Sequence, residues 1–379
     1  MKKILFKKIL SDCLIFFTIA LLFAGLVIWI FQAVNHLDIM IDDGRDHITY
    51  LKFTLLIFPK VITKLIPFIF FLSFIYIITK YEIENELIIF WNFGVNKITV
   101  INFFFKFSFI LLLIQLILTS FIVPISQDKA RSYLRNSSMD FVNNLIKPKT
   151  FNDAISNLTI YSDRKNNENY YENIYIKSGS GPNDFQITYA EKGKFINSGD
   201  KQVFDLFNGE NVSLVNNKFT NLKFKRSYLN LSDFETHTTK YKKTQEVSTF
   251  DLFTCYKNIY NKISLDLSKK LKIENCRSEN LNNILKEFHK RFTIPLYIPA
   301  LMLICLLVII KSKENTNYSL YRFKIFILGL FIIILSELSL RFVEKNLLNN
   351  LLIFLTPIIL MIYLYLTMYF KLNFKRYKT

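Results

Sequence analysis

The sequence predicts an α-helical membrane protein with six transmembrane helices (3+3) and an extracytoplasmic all-β, jelly-roll-like domain inserted between spans 3 and 4. Three observations carry that prediction. First, 51% of the 379 residues are hydrophobic, with 39 Phe against only 9 Gly, and the mean hydropathy is positive. Second, the apolar residues gather in six runs, near 13–34, 54–79, 100–124, 292–311, 324–343 and 350–370. A helix needs about 20 such residues to cross the hydrocarbon core. Third, the polar stretch from 156 to 234 alternates with a period of two, as half-buried strands do.

Lysine and arginine orient the spans. With the N-terminus inside, the inner segments carry Lys2, Lys3, Lys7 and Lys8, then Lys80 and Lys97, then Lys311, Lys313, Arg322 and Lys324, then Lys371, Lys375, Arg376 and Lys378. The loop after the first span, placed outside, is acidic, with Asp38, Asp42, Asp43 and Asp46. Both termini are then cytoplasmic, and the insert faces the periplasm of a Gram-negative cell. The first apolar run is too long for a signal peptide and no small-x-small cleavage site follows it, so it reads as an uncleaved anchor. Residues 1–124 hold spans 1–3. Residues 125–291 form the extracytoplasmic region, β-rich over about 150–235 and helical over about 248–291. Residues 292–379 hold spans 4–6 and a basic tail. The formal charge of +18 reads as membrane topology, and no nucleic-acid motif accompanies it.

The runs NLTIYS, ENIYIK, FQITYAEKGKF, QVFDLFNGENVSLV and LKFKRSYLNL read as strands. Turn signals separate them at 178–184 (SGSGPND), 197–200 (Asn197-Ser198-Gly199-Asp200), Asn208-Gly209 and Asn216-Asn217. Beyond them, Ser278 is placed to cap a helix carrying Leu281, Ile284, Leu285, Phe288 and Phe292 on one side. Cys13 and Cys305 lie in apolar runs. Cys255 and Cys276 lie in the insert, where their pairing is left open.

Enzyme chemistry finds no foothold. There is no Walker A motif, no zinc-protease or nucleophile-elbow motif and no metal-ligand set, and His36, His47, His237 and His289 are scattered. The unusual membrane charges are Lys60 and Lys64 in FPKVITKLIP. They lie four residues apart, so they share a helix face in the outer third of span 2. They either snorkel to the interface or line a cavity that receives an anionic headgroup. Arg341, near the outer end of span 5, either joins that cluster or anchors its helix. Pro59 and Pro67 are expected to kink or loosen span 2.

Between spans 2 and 3 stands KYEIENELIIFWNFGV, with Glu82, Glu84 and Glu86. A helix over 81–93 would align Ile83, Leu87, Phe90 and Trp91 on one side and end at Gly94. Interfacial helices on an anionic inner leaflet favour Lys and Arg. Three carboxylates point instead to a basic, grooved cytoplasmic partner.

Taken together, Pro59, Pro67, Glu84-Asn85-Glu86-Leu87, Gly94, the span ending IVPISQDKAR, the strands NLTIY, ENIYI, TYAEKGKF and FKRSYLNLS, and EFHKRFTIPL resemble the permeases of the lipopolysaccharide-export ABC transporter, LptF/LptG type. FKRSYLNLS leans toward the F-type subunit. The resemblance implies a non-enzymatic transport subunit without a cofactor of its own. Its expected partners are a second permease, two copies of a cytoplasmic ATPase that uses the ATP, a single-span periplasmic jelly-roll protein and lipopolysaccharide. It implies coupling to the ATPase through Glu84 and Glu86, flanked by Leu87, Phe90 and Gly94. Lys60, Lys64 and Arg341 are the headgroup candidates, because the outer half of span 1, LVIWIFQAVNH, lacks the basic residues usual in the family. Lys149 in IKPKTF stands where the family usually has Gly. A membrane-anchored scaffold whose β-domain only docks partners is the competing expectation.

Overall fold

The computed structural model describes residues 2–37, 47–136, 148–155, 158–166, 170–181, 184–198, 201–215, 218–230, 242–260, 276–311, 313–314, 316–344 and 346–374. The acidic loop at 38–46 and the tail cations Lys375, Arg376 and Lys378 lie outside them. Helices α1 (Lys2–Asn35) and α2 (His47–Ile83) come first, followed by the short α3 (Glu86–Asn92). Next, α4 (Lys97–Ile117) continues through a π-turn, Leu118–Ile122, into α5 (Val123–Asn136). After the strands come α6 (Thr249–Tyr260), then α7 (Leu281–Phe288) with a second π-turn, His289–Thr293. Last are α8 (Tyr297–Leu306), α9 (Tyr318–Leu338) and α10 (Leu347–Phe374).

Among the described residues, five helices are long and apolar enough to span a membrane. The bent pair Ser278–Thr293 and Tyr297–Ile310, meeting at 41°, makes a sixth if it is one broken span. Pro295 lies in the break. Every residue of α8 is buried, and α8 packs against α4, α9 and α10. It is the axle of the helical core, with Phe70, Phe71, Phe74 and Ile78 of α2 and Ile101 and Phe104 of α4 around it. α1 differs: its large buried side chains are Ile9, Cys13 and Phe17, all in its first half, while Phe23 and Phe31 further along stand about 70% exposed.

Pro59 and Pro67 do not break α2, which is continuous over 37 residues. A proline inside a helix removes one N–H and frees the carbonyl four residues earlier, and in lipid that carbonyl needs a new donor. Four such carbonyls receive one. Pro67 frees Thr63 O, which accepts from Gln115 Nε2 of α4 at 2.8 Å. Pro124 frees Ser120 O, which accepts from Thr249 Oγ1. Pro295 frees Arg291 O, which shares the Thr119 hydroxyl proton (2.9 Å) with that residue's own Gln115 O (3.0 Å). Pro357 frees Ile353 O, which accepts from Thr356 Oγ1 at 2.8 Å. Three of these donors come from another segment, so the prolines become points where the core is stitched together.

The chain divides into two compact units, Met1–Ile30 with Ile57–Asp128 and Tyr241–Thr379, and Phe31–Leu56 with Lys129–Lys240. The second unit holds an antiparallel sheet. Its strands are β1 (Asn152–Ile155), β2 (Leu158–Tyr161), β3 (Arg164–Lys165), β4 (Tyr171–Gly181), β5 (Asp184–Ser198), β6 (Lys201–Val215) and β7 (Lys218–Asn230). Their order is β1-β2-β4-β5-β6-β7, with β3 on β4. Three expected turns fall between paired strands, β4 and β5, β5 and β6, and β6 and β7, with residues 182–183, 199–200 and 216–217 outside the described residues.

Asn208-Gly209 is not a turn. It lies inside β6, and the ladder skips one whole row there: Asn173, Glu191, Asn208 and Lys225 are all missing from it. Asn173 and Asn208 take left-handed backbone, φ 52° and 49°, which Asn tolerates better than most residues. Across this row the inward side flips. On one side Tyr171, Phe204 and Leu206 point in, and on the other Ile174, Ile176 and Ala190 do, and all six join one core. The long strands thus bend together at a corner and fold the sheet over itself. Gly193 lies beside the corner because a Cβ there would meet Ile174 Cδ1 at 2.6 Å and Leu206 Cδ2 at 3.0 Å. On the other face the buried Asp205 accepts from Arg226, whose guanidinium stacks over Phe207 and Tyr228. Those hydrogen bonds raise the Arg226 pKa. Lys149 adopts the left-handed backbone that Gly would take freely (φ 67°), and its N–H reaches Ser162 O at 2.7 Å. The turn therefore forms without the glycine.

A disulfide between Cys255 and Cys276 ties α6 to the segment that leads into α7. Val247, Leu252 and Ile284 pack beneath it. Ser278 does not act as the expected cap. It opens a short 3-10 turn after Arg277, and no side-chain capping bond forms.

Candidate functional site

The acidic stretch folds differently from one helix over 81–93. α2 carries on to Ile83, and Asn85 then turns left-handed (φ 62°), which no continuous helix allows. α3 starts afresh at Glu86 and runs only to Asn92. Its end is a Schellman motif: Gly94 is left-handed at φ 68°, its N–H reaches Trp91 O (2.9 Å), and the Val95 N–H reaches Phe90 O (3.0 Å). Two lysines pin the segment to the chain that follows α8. Lys97 Nζ donates to Ile309 O at 2.7 Å and lies over the Trp91 ring, and Lys313 Nζ donates to Ile83 O at 3.2 Å.

The break reassigns the faces. Leu87 and Phe90 are 1% and 2% exposed and enter the helical core, with Phe90 set edge-on to Phe6 of α1. They anchor the segment and are not available for direct contact with a partner. Ile83, expected on one side with Leu87, Phe90 and Trp91, is turned outward together with Ile88, Ile89 and Phe93. Glu84 is exposed and Glu86 half-buried beside them. The outward surface is therefore apolar with an acidic edge. Glu84 Oε2 is 4.0 Å from Lys80 Nζ, both side chains about half exposed. Such a pair contributes at most about 1 kcal/mol, so Glu84 is easily recruited elsewhere.

At the other end of α2 the headgroup candidates separate. Lys60 is half-buried, and its ammonium donates to Gln245 Oε1 at 3.3 Å. Lys64 is exposed, as is Arg341 just beyond α9. Gln245 leads to a group that sequence reasoning missed, around Arg291. That residue is 1% exposed. Its Nε donates to Glu287 Oε1 (3.1 Å), Nη1 to Thr249 Oγ1 (2.9 Å), and Nη2 to the Val247 and Gln245 carbonyls (3.0 and 3.3 Å). Since Thr249 also donates to Ser120 O, one guanidinium ties segment 245–249 to both π-turns. The available signal was Glu287 one turn before Arg291, next to Pro295.

Among the described residues, five or six apolar spans with a separate antiparallel β-sheet domain define a multi-pass membrane protein with an inserted β-domain. The chain belongs to the lipopolysaccharide export system permease LptF/LptG family, which it matches over residues 7–371. It is also similar to the uncharacterized protein RP871 of Rickettsia prowazekii (strain Madrid E), at 24% identity over 294 residues, covering 76% of this chain and 78% of that one. The family is that of a transporter's membrane subunit, not an enzyme.

Proposed function

We propose that the chain is one of two permease subunits of an ABC transporter that extracts lipopolysaccharide from the outer leaflet of the inner membrane. It passes the lipid along the inside of its β-domain to a periplasmic jelly-roll bridge. Of two copies of a separate cytoplasmic ATPase, which use the ATP, one docks on the segment from Glu84 to Phe93 of this chain and the other on the second permease, so this chain needs no cofactor of its own. The second permease completes the lateral gate. Both termini are cytoplasmic and the β-domain is periplasmic. The Lys and Arg bias favours that orientation, as does the Cys255–Cys276 disulfide, which suits an oxidising compartment. The observation that carries the reading is the apolar, acidic-edged surface presented on a segment pinned by Lys97 and Lys313, in a chain without a Walker A motif.

Lys60, Lys64 and Arg341 supply positive charge for the lipid's anionic headgroup. Gln245 accepts a hydrogen bond from Lys60. Lys60→Glu combined with Lys64→Glu is expected to lower lipopolysaccharide loading about tenfold or more, since two cations near an anionic surface become two anions. Loading is read as lipid bound per complex after purification, and retained ATPase serves as the check on assembly. Unchanged loading would make both lysines simple interfacial anchors.

A further inference from the structure

α1 carries one carboxylate, Asp12, after the four lysines Lys2, Lys3, Lys7 and Lys8. It stands at the inner edge of the first span, where topology and an anionic leaflet both favour cations. Charge bias therefore does not account for it. Its partner does: the half-buried Asp12 accepts a hydrogen bond from the hydroxyl of Tyr81, a residue 5% exposed. A buried tyrosine hydroxyl requires such an acceptor. Tyr81 lies in the last turn of α2, three residues before Glu84, and two residues further on Ile83 O accepts from Lys313 Nζ. The same turn is thus the base of the acidic segment and the attachment point of α1. A second contact lies nearby, where Phe6 of α1 meets Phe90 of α3 edge-on at 5.8 Å. Beyond Phe17, α1 buries no large side chain, so these inner contacts are the firm part of its attachment.

We propose that the Tyr81–Asp12 hydrogen bond is the link through which movement of the acidic segment reaches α1, making both side chains positioning residues of the transport cycle. This rests on the ATPase docking proposed for the segment from Glu84 to Phe93. A hydrogen bond to a carboxylate is directional and charge-assisted, so it fixes the height and rotation of α1 against α2. The ring contact at Phe6 is apolar and non-directional, and it permits sliding. Without the hydroxyl, the motor stays docked and hydrolyses ATP, while α1 no longer follows.

The test uses the whole transporter in vesicles. Spin-label side chains at Ile19 of α1 and Leu113 of α4, both exposed, report the distance between the two helices with and without nucleotide. In the unaltered chain that distance is expected to change when nucleotide binds. Tyr81→Phe, which removes one oxygen, should lose the change and lower the lipopolysaccharide delivered per ATP about fivefold or more. ATPase retention and hydrolysis should stay as they were. Asp12→Leu should match it, and the two together should be no worse than either alone. Asp12→Asn keeps an acceptor oxygen and should retain most of the response. A distance that ignores nucleotide in the unaltered chain, a response that survives Tyr81→Phe, or additive losses in the double variant overturns the proposal. So does a fall in melting temperature that takes ATPase retention down with it, which would make the bond a packing contact alone. The distance is read without lipid, and ATPase retention is read on the same sample. Failure of the link is therefore distinct from failure of transport or of docking.

Discussion

Replacing Arg291 with leucine is expected to destabilise the helical unit by about 3–5 kcal/mol, the range for breaking a buried, hydrogen-bonded charge pair from one side. The leucine fills much of the volume but strands Glu287, which is itself mostly covered, and leaves the Val247 and Gln245 carbonyls without their donor. It also frees Thr249, the hydroxyl that answers the carbonyl opened by Pro124. Arg291→Lys should fall between, because one ammonium can reach Glu287 but cannot serve acceptors spread around a planar fork. Adding Glu287→Leu to Arg291→Leu should recover only part of the loss, since the backbone acceptors stay open. Denaturant unfolding of the purified chain in detergent measures all three. A loss below about 1 kcal/mol for Arg291→Leu, the value of a surface ion pair, would show that the network is not what joins the π-turns.

Glu84→Lys with Glu86→Lys is expected to detach the ATPase on purification while the chain still folds. Close charge pairs at protein interfaces show coupling energies of about 1.5–7 kcal/mol. Two reversals therefore remove at least about 3 kcal/mol, over a hundredfold in Kd. Neither side chain supports the core, because Glu84 is exposed and Glu86 half-exposed, while Leu87 and Phe90 do the anchoring. The loss should therefore appear in co-purification and not in the melting temperature. Leu87→Ala should behave oppositely, loosening the segment and lowering stability first, as truncation of a buried leucine does. Full retention of the ATPase in the double reversal would remove the coupling role from both glutamates.

The spans were legible because a run of about 20 apolar residues has few other fates, and the strands because their alternation is regular. What escaped were features that depend on partners far away in sequence. Asn208-Gly209 has the local signature of a hairpin. Only its neighbours across the sheet, Asn173 and Glu191, reveal a corner in continuous strands. The acidic segment was legible as a unit, but Asn85 can sit inside a helix or break it, and that choice decides whether Ile83 faces in or out. Pro67 reads as a weak point, yet Gln115 answers its open carbonyl, as Thr249 answers the one that Pro124 opens, and nothing local announces such donors. Arg291 reads as one more flanking cation until segment 245–249 closes over it. Lys60 and Lys64 share a helix face, but the same segment draws only Lys60 toward Gln245.

The central claim is that lipopolysaccharide travels through this chain. Photocrosslinking residues placed at Phe224 and Leu222, which share one face of β7, and at Lys64 on α2 test it most directly in vesicles containing the whole transporter. The expected result is ATP-dependent capture of lipopolysaccharide on the β-domain positions, with capture at Lys64 already present before ATP is added. Absence of capture at every one of these positions, with ATP hydrolysis intact, would contradict the account and leave a membrane-anchored scaffold in its place.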